Sequence, residues 1–271
     1  MHKFLRAIGF SDITKKDLEM ILDEVITRPE IMKITKDSEG NEFAELSGSF
    51  AANAGITVRG TYQEDDSFHM DYYYPYVFGT SITTNEQIDV EKHAEKESYA
   101  GVCDEVNLGV TLIFYIQNVA DYLAETNRHL SKIHYGAMLA GLSTEGKILC
   151  PVVERKKNDV PAIQKNDRHN QLIAQAREGD EDAIESLTLE DMDTYALLSQ
   201  RVMKEDIFSI VKSTFMPFGI ESDQYTVLGE IIDCVTMENK LTHEKLYGMK
   251  LLCNNIQFDV CINEKDLLGE P

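Results

Sequence analysis

Tryptophan is absent from this chain of 271 residues, proline occurs only 6 times and cysteine only 5 times. The cysteines are odd in number, and no two of them have the C-x-x-C spacing of a zinc ribbon or a thioredoxin-type redox motif. Most of them lie among apolar residues, where a free thiol behaves as a small hydrophobic side chain. We therefore predict reduced thiols in the core of a cytoplasmic protein. The five are Cys103, Cys150, Cys234, Cys253 and Cys261.

Basic residues are also scarce, since 26 Lys and Arg stand against 47 Asp and Glu, for a net charge of −21. The acidic excess runs along the whole chain except residues 154–170, which are slightly basic. A surface of this charge repels polyanions, because affinity for nucleic acid depends on cations that displace counterions. We expect no nucleic-acid partner and no anionic membrane partner.

Long apolar runs and known catalytic motifs are missing as well. The longest apolar stretch, Val110–Ile116, is far shorter than the roughly 20 residues that cross a bilayer, and Met1–Phe10 does not resemble a signal peptide. The sequence contains no GxSxG, Walker A or GxGxxG motif, and His129 and His134 are five residues apart, unlike the histidines of HExxH. We therefore predict no catalytic residue, no metal site and no cofactor.

Residues 1–153 are predicted to form an antiparallel α+β domain. Apolar residues at helical spacing follow Thr14 and Asp17, which form a capping-box pattern, and the helix is predicted to end at Arg28-Pro29. Ile88–Val102 fits either an exposed strand or a helix, and Asn118–Asn127 is predicted to be a short helix. The predicted strands, in chain order, are Glu42–Phe50, Gly55–Gln63, Ser67–Phe78, Leu108–Ile116, and a hairpin of Ile133–Leu142 with Lys147–Val153.

The second half of the chain is predicted to contain a linker (154–170), a helical segment (171–215) and a C-terminal β module (216–271). In that module Tyr225–Met237, Leu246–Leu252 and the strand from Ile256 to Ile262 are predicted to pair, with a tight turn at Asn254-Asn255. Alternation along the last strand places one face in a core and the other toward water or a partner. Three strands cannot close a small barrel, so the module docks on the first domain, pairs with another chain, or continues past Pro271. The predicted fold class is α+β: an antiparallel N-terminal sheet, a helical connector and a small antiparallel module resembling part of a barrel.

The aromatic run Phe68–Phe78 is the most unusual local feature. In a strand the even positions share one face, which we predict to be core; they are Met70 and five aromatic residues, Phe68, Tyr72, Tyr74, Tyr76 and Phe78. The other face presents His69, Asp71 and Tyr73 about 7 Å apart. An imidazole beside a carboxylate and a phenol suits ligand binding or acid–base chemistry. These three residues are the candidate ligand-binding residues, and the alternative is a solvated strand face with no ligand.

Three further clusters have a structural explanation beside a functional one. The acidic run Glu178–Asp193 could bind Ca²⁺ or Mg²⁺, but EF-hand spacing fails, and solvated helix starts explain it. The basic residues of the linker lack interleaved aromatics, so they suit a flexible linker or contact with the acidic helices. Cys103, next to Asp104, could act as a nucleophile only with a base from elsewhere in the chain.

The stretch from Gln171 to Asp233, the opening MHKFLRAIGF and the late CNNIQFDVCINEKDLLGEP are distinctive. Together they resemble an uncharacterised protein family of anaerobic Gram-positive bacteria. The resemblance covers most of the chain. It implies no activity, ligand or catalytic residue, because that family has none assigned.

The sequence therefore favours a non-enzymatic cytoplasmic module that binds a protein or a small molecule. The binding surface would be the sheet face around His69 or an unpaired edge of the C-terminal strands. One alternative is an enzyme of unknown class whose site is assembled from distant segments. A third possibility is a structural homo-oligomer that forms through the C-terminal strand edges.

Overall fold

The computed structural model describes residues 2–93, 96–105, 107–127, 136–149, 213–219 and 223–271. Its α-helices are α1 (Lys15–Thr27) and α2 (Val119–Asn127), with 3-10 helices at Lys3–Ile8 and Glu264–Asp266. Its strands, in chain order, are β1 (Ile31–Lys36), β2 (Glu42–Ala51), β3 (Ala54–Tyr62), β4 (Phe68–Val77), β5 (Asp89–Lys92), β6 (Tyr99–Glu105), β7 (Val110–Tyr115), β8 (Ala140–Ser143), β9 (Gly146–Lys147), β10 (Thr214–Pro217), β11 (Tyr225–Leu228), β12 (Glu230–Glu238), β13 (Lys245–Cys253), β14 (Ile256–Asn263) and β15 (Leu267–Leu268). Mostly antiparallel sheets with a few helices confirm the predicted α+β class.

Helix α1 begins and ends where the sequence predicts. The Thr14 hydroxyl accepts from the Asp17 amide, and the Asp17 carboxylate accepts from the Thr14 amide, which completes the capping box. The helix ends before Pro29, because the residue preceding proline avoids the α conformation. Its apolar stripe, which includes Leu18, Leu22 and Val25, packs on the sheet below.

The strands β1 to β4 form an antiparallel meander that we call the N-terminal sheet. The three strands predicted in this region are confirmed, and their turns are the polar ones expected. Strand β1 was not predicted, because its apolar residues are few. Three of them remain exposed at this edge of the sheet. Alternate residues of β3, such as Ile56 and Val58, lie under α1, whereas Thr57 and Arg59 lie on the opposite face.

A small sheet of β5, β6 and β7 packs beside the N-terminal sheet with α2. The ambiguous stretch Ile88–Val102 thus forms β5 and much of β6, which favours the strand alternative. The predicted helix α2 is confirmed, with Val119 and Leu123 buried. These two side chains pack with Phe43 of β2, so α2 lies on the face of the N-terminal sheet that α1 does not cover.

The strands β12, β13 and β14 pair in antiparallel order, and β8 adds to β14 in parallel; we call these four the C-terminal sheet. The turn at Asn254-Asn255 is confirmed, and both residues have positive φ, 45° and 69°, as a two-residue hairpin turn requires. The predicted third strand is divided at Gly229, where a Cβ atom would lie only 2.9 Å from the Leu252 carbonyl oxygen. Before this point β11 pairs with β10, and after it β12 pairs with β13.

The predicted hairpin of residues 133–142 and 147–153 is wrong within the described residues. Strand β8 pairs with β14, and β9 pairs with β15, both in parallel. Local alternation identifies a strand but not a partner that lies more than a hundred residues away. The C-terminal module therefore docks on the first domain, which is the first of the three arrangements considered above.

The N-terminal segment Lys3–Phe10 lies between the two sheets and joins them in one core. Leu5, Ile8 and Phe10 pack with side chains of α1, the N-terminal sheet and the C-terminal sheet. Cys261, on the face of β14 predicted to meet water or a partner, is 0% exposed and lies 3.3 Å from the Ala7 carbonyl oxygen. That prediction is wrong at this end of β14, because the face is covered by the chain's own N-terminal segment.

The boundaries predicted for the linker and the helical segment stay predictions, since residues 150–212 lie outside the described part of the chain. The acidic run Glu178–Asp193 and the basic linker lie there too.

Asn239 is the side chain that ties this junction together. It is 0% exposed, donates from Nδ2 to the Ile8 carbonyl oxygen at 2.8 Å, and accepts at Oδ1 from the amides of Leu241 and Thr242. We predict that Asn239→Ala lowers the free energy of unfolding by about 2–4 kcal/mol, because buried groups lose their partners. Urea denaturation measures the change. The exposed control Gln257→Ala should cost less than about 0.5 kcal/mol, and equal losses in the two variants would contradict the role of Asn239.

Candidate functional site

The three predicted site residues are separated by an irregularity in β4. Arg59 lies opposite Tyr72 and Gly60 lies opposite Met70, so Asp71 is an extra residue on the β4 side. Such a β-bulge reverses the alternation of side chains beyond it. His69 therefore lies on one face of the sheet and Tyr73 on the other.

The structure brings two of the predicted residues near one another. His69 Nε2 lies 3.9 Å from Asp71 Oδ1, with the side chains 69% and 39% exposed. Tyr73 instead packs against the core under α1, and its hydroxyl accepts from the His2 amide. Both side chains of the pair are exposed to solvent, and ligand binding by these three residues stays a prediction.

The even positions of the aromatic run do not share a core face, so that expectation is wrong. Phe68, Tyr73 and Val77 pack under α1, whereas Tyr72 and Tyr74 contact Arg59 on the opposite face. The bulge at Asp71 is the reason. We call that opposite face the tyrosine face; its polar residues are Glu45, Ser47, Thr57, Arg59, Tyr72, Tyr74 and Tyr76.

Arg59 is the centre of the tyrosine face and is only 2% exposed. Its Nε donates to Glu45 Oε2 at 2.9 Å, and its Nη2 lies 2.8 Å from the same oxygen. Its two terminal nitrogens donate to the hydroxyls of Tyr72 and Tyr74 at 2.8 and 2.6 Å, and Nη2 also donates to the Gln117 carbonyl oxygen at 2.8 Å. A buried guanidinium needs such partners, because an unpaired charge in the interior is costly.

Burial sets the protonation of this face. It raises the pKa of the Tyr74 and Tyr72 hydroxyls above the ordinary value, although Arg59 opposes the shift. Burial also raises the pKa of Glu45, again against the influence of Arg59. Both phenols therefore keep their protons near neutral pH and act as hydrogen-bonding groups.

A cleft opens on the tyrosine face between β1, β4 and the start of α2. Its accessible space measures about 40 Å³, and the empty volume rises to about 330 Å³ only when open solvent at the mouth is included. Apolar side chains form the rim, where Ile31 and Phe78 are each 42% exposed. The lining residues are Ile31, Lys33, Glu45, Ser47, Thr57, Tyr74, Tyr76, Phe78, Gln117 and Asn118.

Gln117, one of the residues that line the cleft, contains a buried polar atom without a partner. Gln117 Oε1 is inaccessible to solvent and has no hydrogen bond to any described residue. Two other lining residues, Ser47 and Thr57, have hydroxyl oxygens 2.8 Å apart. Native proteins leave few buried polar atoms unsatisfied, so Gln117 Oε1 calls for a hydrogen-bond donor.

Two charged residues in the sequence indicate this site, although they belong to no known motif. Glu45 and Arg59 are single charges in the middle of two neighbouring predicted strands. Their hairpin register places them directly opposite one another. Charged residues are rarely buried unless they are paired, so opposite charges at facing positions indicate a buried pair.

Other candidate chemistries find little support in the described residues. No group of three or more His, Cys, Asp or Glu side chains there is arranged to hold a metal ion. Cys103 is buried, and burial raises the pKa of its thiol, which disfavours the thiolate. Within the same residues, every helix is too short or too polar to cross a bilayer.

The buried ion pair makes a testable contribution to stability. We predict that Arg59→Met costs about 3–5 kcal/mol of unfolding free energy, because Glu45 is left buried without its partner. Adding Glu45→Leu should recover at least about 2 kcal/mol of that loss. Urea denaturation of both variants measures the coupling. The exposed control Arg28→Met should have little effect, and a double variant no more stable than Arg59→Met would contradict the buried-pair account.

The thiol of Cys103 should be inert in the folded protein. We predict no alkylation of Cys103 by iodoacetamide near neutral pH, because the thiol is buried and its pKa is raised. Peptide mass spectrometry measures the modification, with a urea-unfolded sample as the positive control. Equal rates of Cys103 alkylation in the folded and unfolded samples would show a reactive thiol.

Comparison with known proteins identifies a family but no described function. No curated protein matches the chain, and no solved structure matches it. Residues 5–271 match a family described as a domain of unknown function, E. rectale gene description (DUF3881). This match covers nearly the whole chain and confirms the resemblance to an uncharacterised bacterial family. The chain therefore belongs to the DUF3881 family of domains of unknown function.

Proposed function

We propose that the protein is a non-enzymatic cytoplasmic binding module, and that its ligand is a small molecule held in the cleft of the tyrosine face. The observation that carries this proposal is the cleft itself, which is lined by polar groups of Ser47, Thr57 and Tyr74 and by the apolar side chains of Ile31 and Phe78. An apolar rim above a few convergent polar groups is the usual composition of a small-molecule site. The His69 and Asp71 side chains, by comparison, are 69% and 39% exposed.

The chemistry of the floor favours binding over catalysis. The Glu45 carboxylate is held by Arg59, and the buried tyrosines keep their protons because their pKa values are raised. A general base needs a free acceptor whose pKa suits proton transfer, and these groups are already engaged with one another. The enzyme alternative would need a site elsewhere in the chain.

Self-association through strand edges is a second proposal with less support. Strand β14 is covered by β8, so the outer strands of the C-terminal sheet, among the described strands, are β12 and the short β8. Val235 on β12 is 52% exposed. However, β12 carries an irregularity next to Ile232, and bulges of this kind discourage edge pairing.

Blocking the mouth of the cleft tests the proposed function. We predict that Ile31→Trp abolishes retention of a ligand, because the larger ring covers a cleft whose rim Ile31 forms. The matched control is Met32→Trp, one residue along the same edge strand and 54% exposed on the opposite face. The measurement is mass spectrometry of compounds retained by each protein after equilibrium dialysis against a bacterial small-molecule extract.

The wild type and Met32→Trp should enrich the same compound, and Ile31→Trp should not. Enrichment that is equal in all three proteins would place binding outside the cleft. A wild type that enriches nothing relative to Ile31→Trp would overturn the proposal.

A further inference from the structure

Strand β1 is an outer strand of the N-terminal sheet, and its outer edge is regular. Among the described strands it pairs with β2 alone, and the register runs without a shift from Ile31 to Lys36. The strand contains neither a proline nor a bulge, two features that commonly protect such an edge from pairing. The outer strand β12, in contrast, has an irregularity between Ile231 and Asp233. Strand β1 is therefore the better template for another strand.

One face of β1 presents apolar side chains that the core of the protein leaves in contact with water. Met32 lies opposite Leu46 of β2, which packs with α1, so Met32 and Ile34 lie on the face of the sheet that carries α1. Each of the two is nevertheless 54% exposed. The Tyr62 hydroxyl lies 3.8 Å from Met32 Sδ, which extends this surface to β3. Exposed apolar side chains grouped at one edge are typical of an interaction surface.

We infer that β1 pairs with β1 of a second copy of this chain, in antiparallel direction about a twofold axis, so that two N-terminal sheets form one continuous sheet. Such a pairing uses the same surface on both copies, as most homodimers do. The twofold axis is perpendicular to the sheet, so directly facing residues lie on the same face, and one residue of β1 must face itself. This inference goes beyond the proposed function of the cleft and does not depend on it.

The side chains of β1 favour the register in which Lys33 faces itself. Met32 then faces Ile34 of the second copy, twice in the dimer, and Glu30 faces Lys36 of the second copy, also twice. If Met32 faced itself, Glu30 would lie opposite Ile34; if Ile34 faced itself, Met32 would lie opposite Lys36. Apolar pairs and opposite charges at facing positions stabilise antiparallel strands. The strand is thus complementary to itself in this one register.

The central lysines and the small contact area make the expected dimer weak. A lysine on an edge strand discourages pairing, but each Lys33 Nζ lies 2.6 Å from Asp121 Oδ2, and this carboxylate reduces the repulsion between the two ammonium groups. Strands of six residues are about 20 Å long, too short to bury the roughly 1,200–2,000 Å² of a stable interface. The net charge of −21 on each copy also opposes association. We expect a Kd of about 100 µM.

Sedimentation equilibrium of the intact protein tests whether the dimer forms. The protein concentration runs from about 10 µM to 1 mM, and about 0.3 M NaCl screens the net charge of the two copies. The average mass of the wild type should rise from that of one chain toward twice that value. A wild type that remains monomeric at about 1 mM overturns the inference.

Two single variants test the register. Met32→Lys and Ile34→Glu each place a charge opposite an apolar side chain twice per dimer, and each variant alone should raise the Kd by at least about tenfold. In an equimolar mixture of the two, the new lysine faces the new glutamate, and the remaining Met32 faces the remaining Ile34. The mixture should therefore dimerise at least about tenfold more tightly than either variant alone. Recovery on mixing also shows that both variants are folded.

The matched control is Val235→Lys, which changes a 52% exposed apolar residue of the outer strand β12. This variant should dimerise like the wild type. If Val235→Lys abolishes the dimer while Met32→Lys and Ile34→Glu retain it, the copies meet through β12 and the inference is wrong. If the mixture of the two β1 variants associates no more tightly than each variant alone, the strands do not face one another in this register, which equally overturns the inference.

Discussion

The constraint on which the tyrosine face depends is the burial of one guanidinium. Arg59 cannot lie inside the protein without compensation, because desolvation of an ion costs several kcal/mol. Its partners come from β2, β4 and the loop before α2. The need to satisfy one charge thus fixes the positions of three separate elements and keeps a polar layer where an apolar core would otherwise form.

The same polar layer joins the small sheet to the N-terminal sheet. Tyr72 donates to the Glu97 carbonyl oxygen at 2.6 Å, and the Glu97 carboxylate accepts from Tyr99 and from Ser38. These bonds link the β5–β6 connection to the turn between β1 and β2. The tyrosine face and the small sheet therefore belong to one connected network of hydrogen bonds.

Sequence patterns predicted the elements of this fold better than their partners. Capping at Thr14 and Asp17, alternation in β2 to β4 and the Asn254-Asn255 turn are local signals, and each was confirmed. The parallel pairing of β8 with β14 depends on contacts between distant segments, which no local pattern encodes. The prediction that His69, Asp71 and Tyr73 share one face was wrong because of a single extra residue. The bulge at Asp71 places Tyr73 on the opposite face of the sheet from His69. Opposite charges at Glu45 and Arg59 would have identified the tyrosine face, but only after the hairpin register was known.

The position of Lys3–Phe10 between the two sheets has a consequence for biosynthesis. Leu5, Ile8 and Phe10 leave the ribosome more than 200 residues before Leu246 and Cys261, yet all five belong to one core. Until those residues emerge, the growing chain carries an apolar segment whose final contacts do not exist. Contacts of such long sequence separation slow folding and leave apolar surface open to aggregation. The apolar side chains of this segment therefore stay without their final contacts until Leu246 and Cys261 have been synthesised.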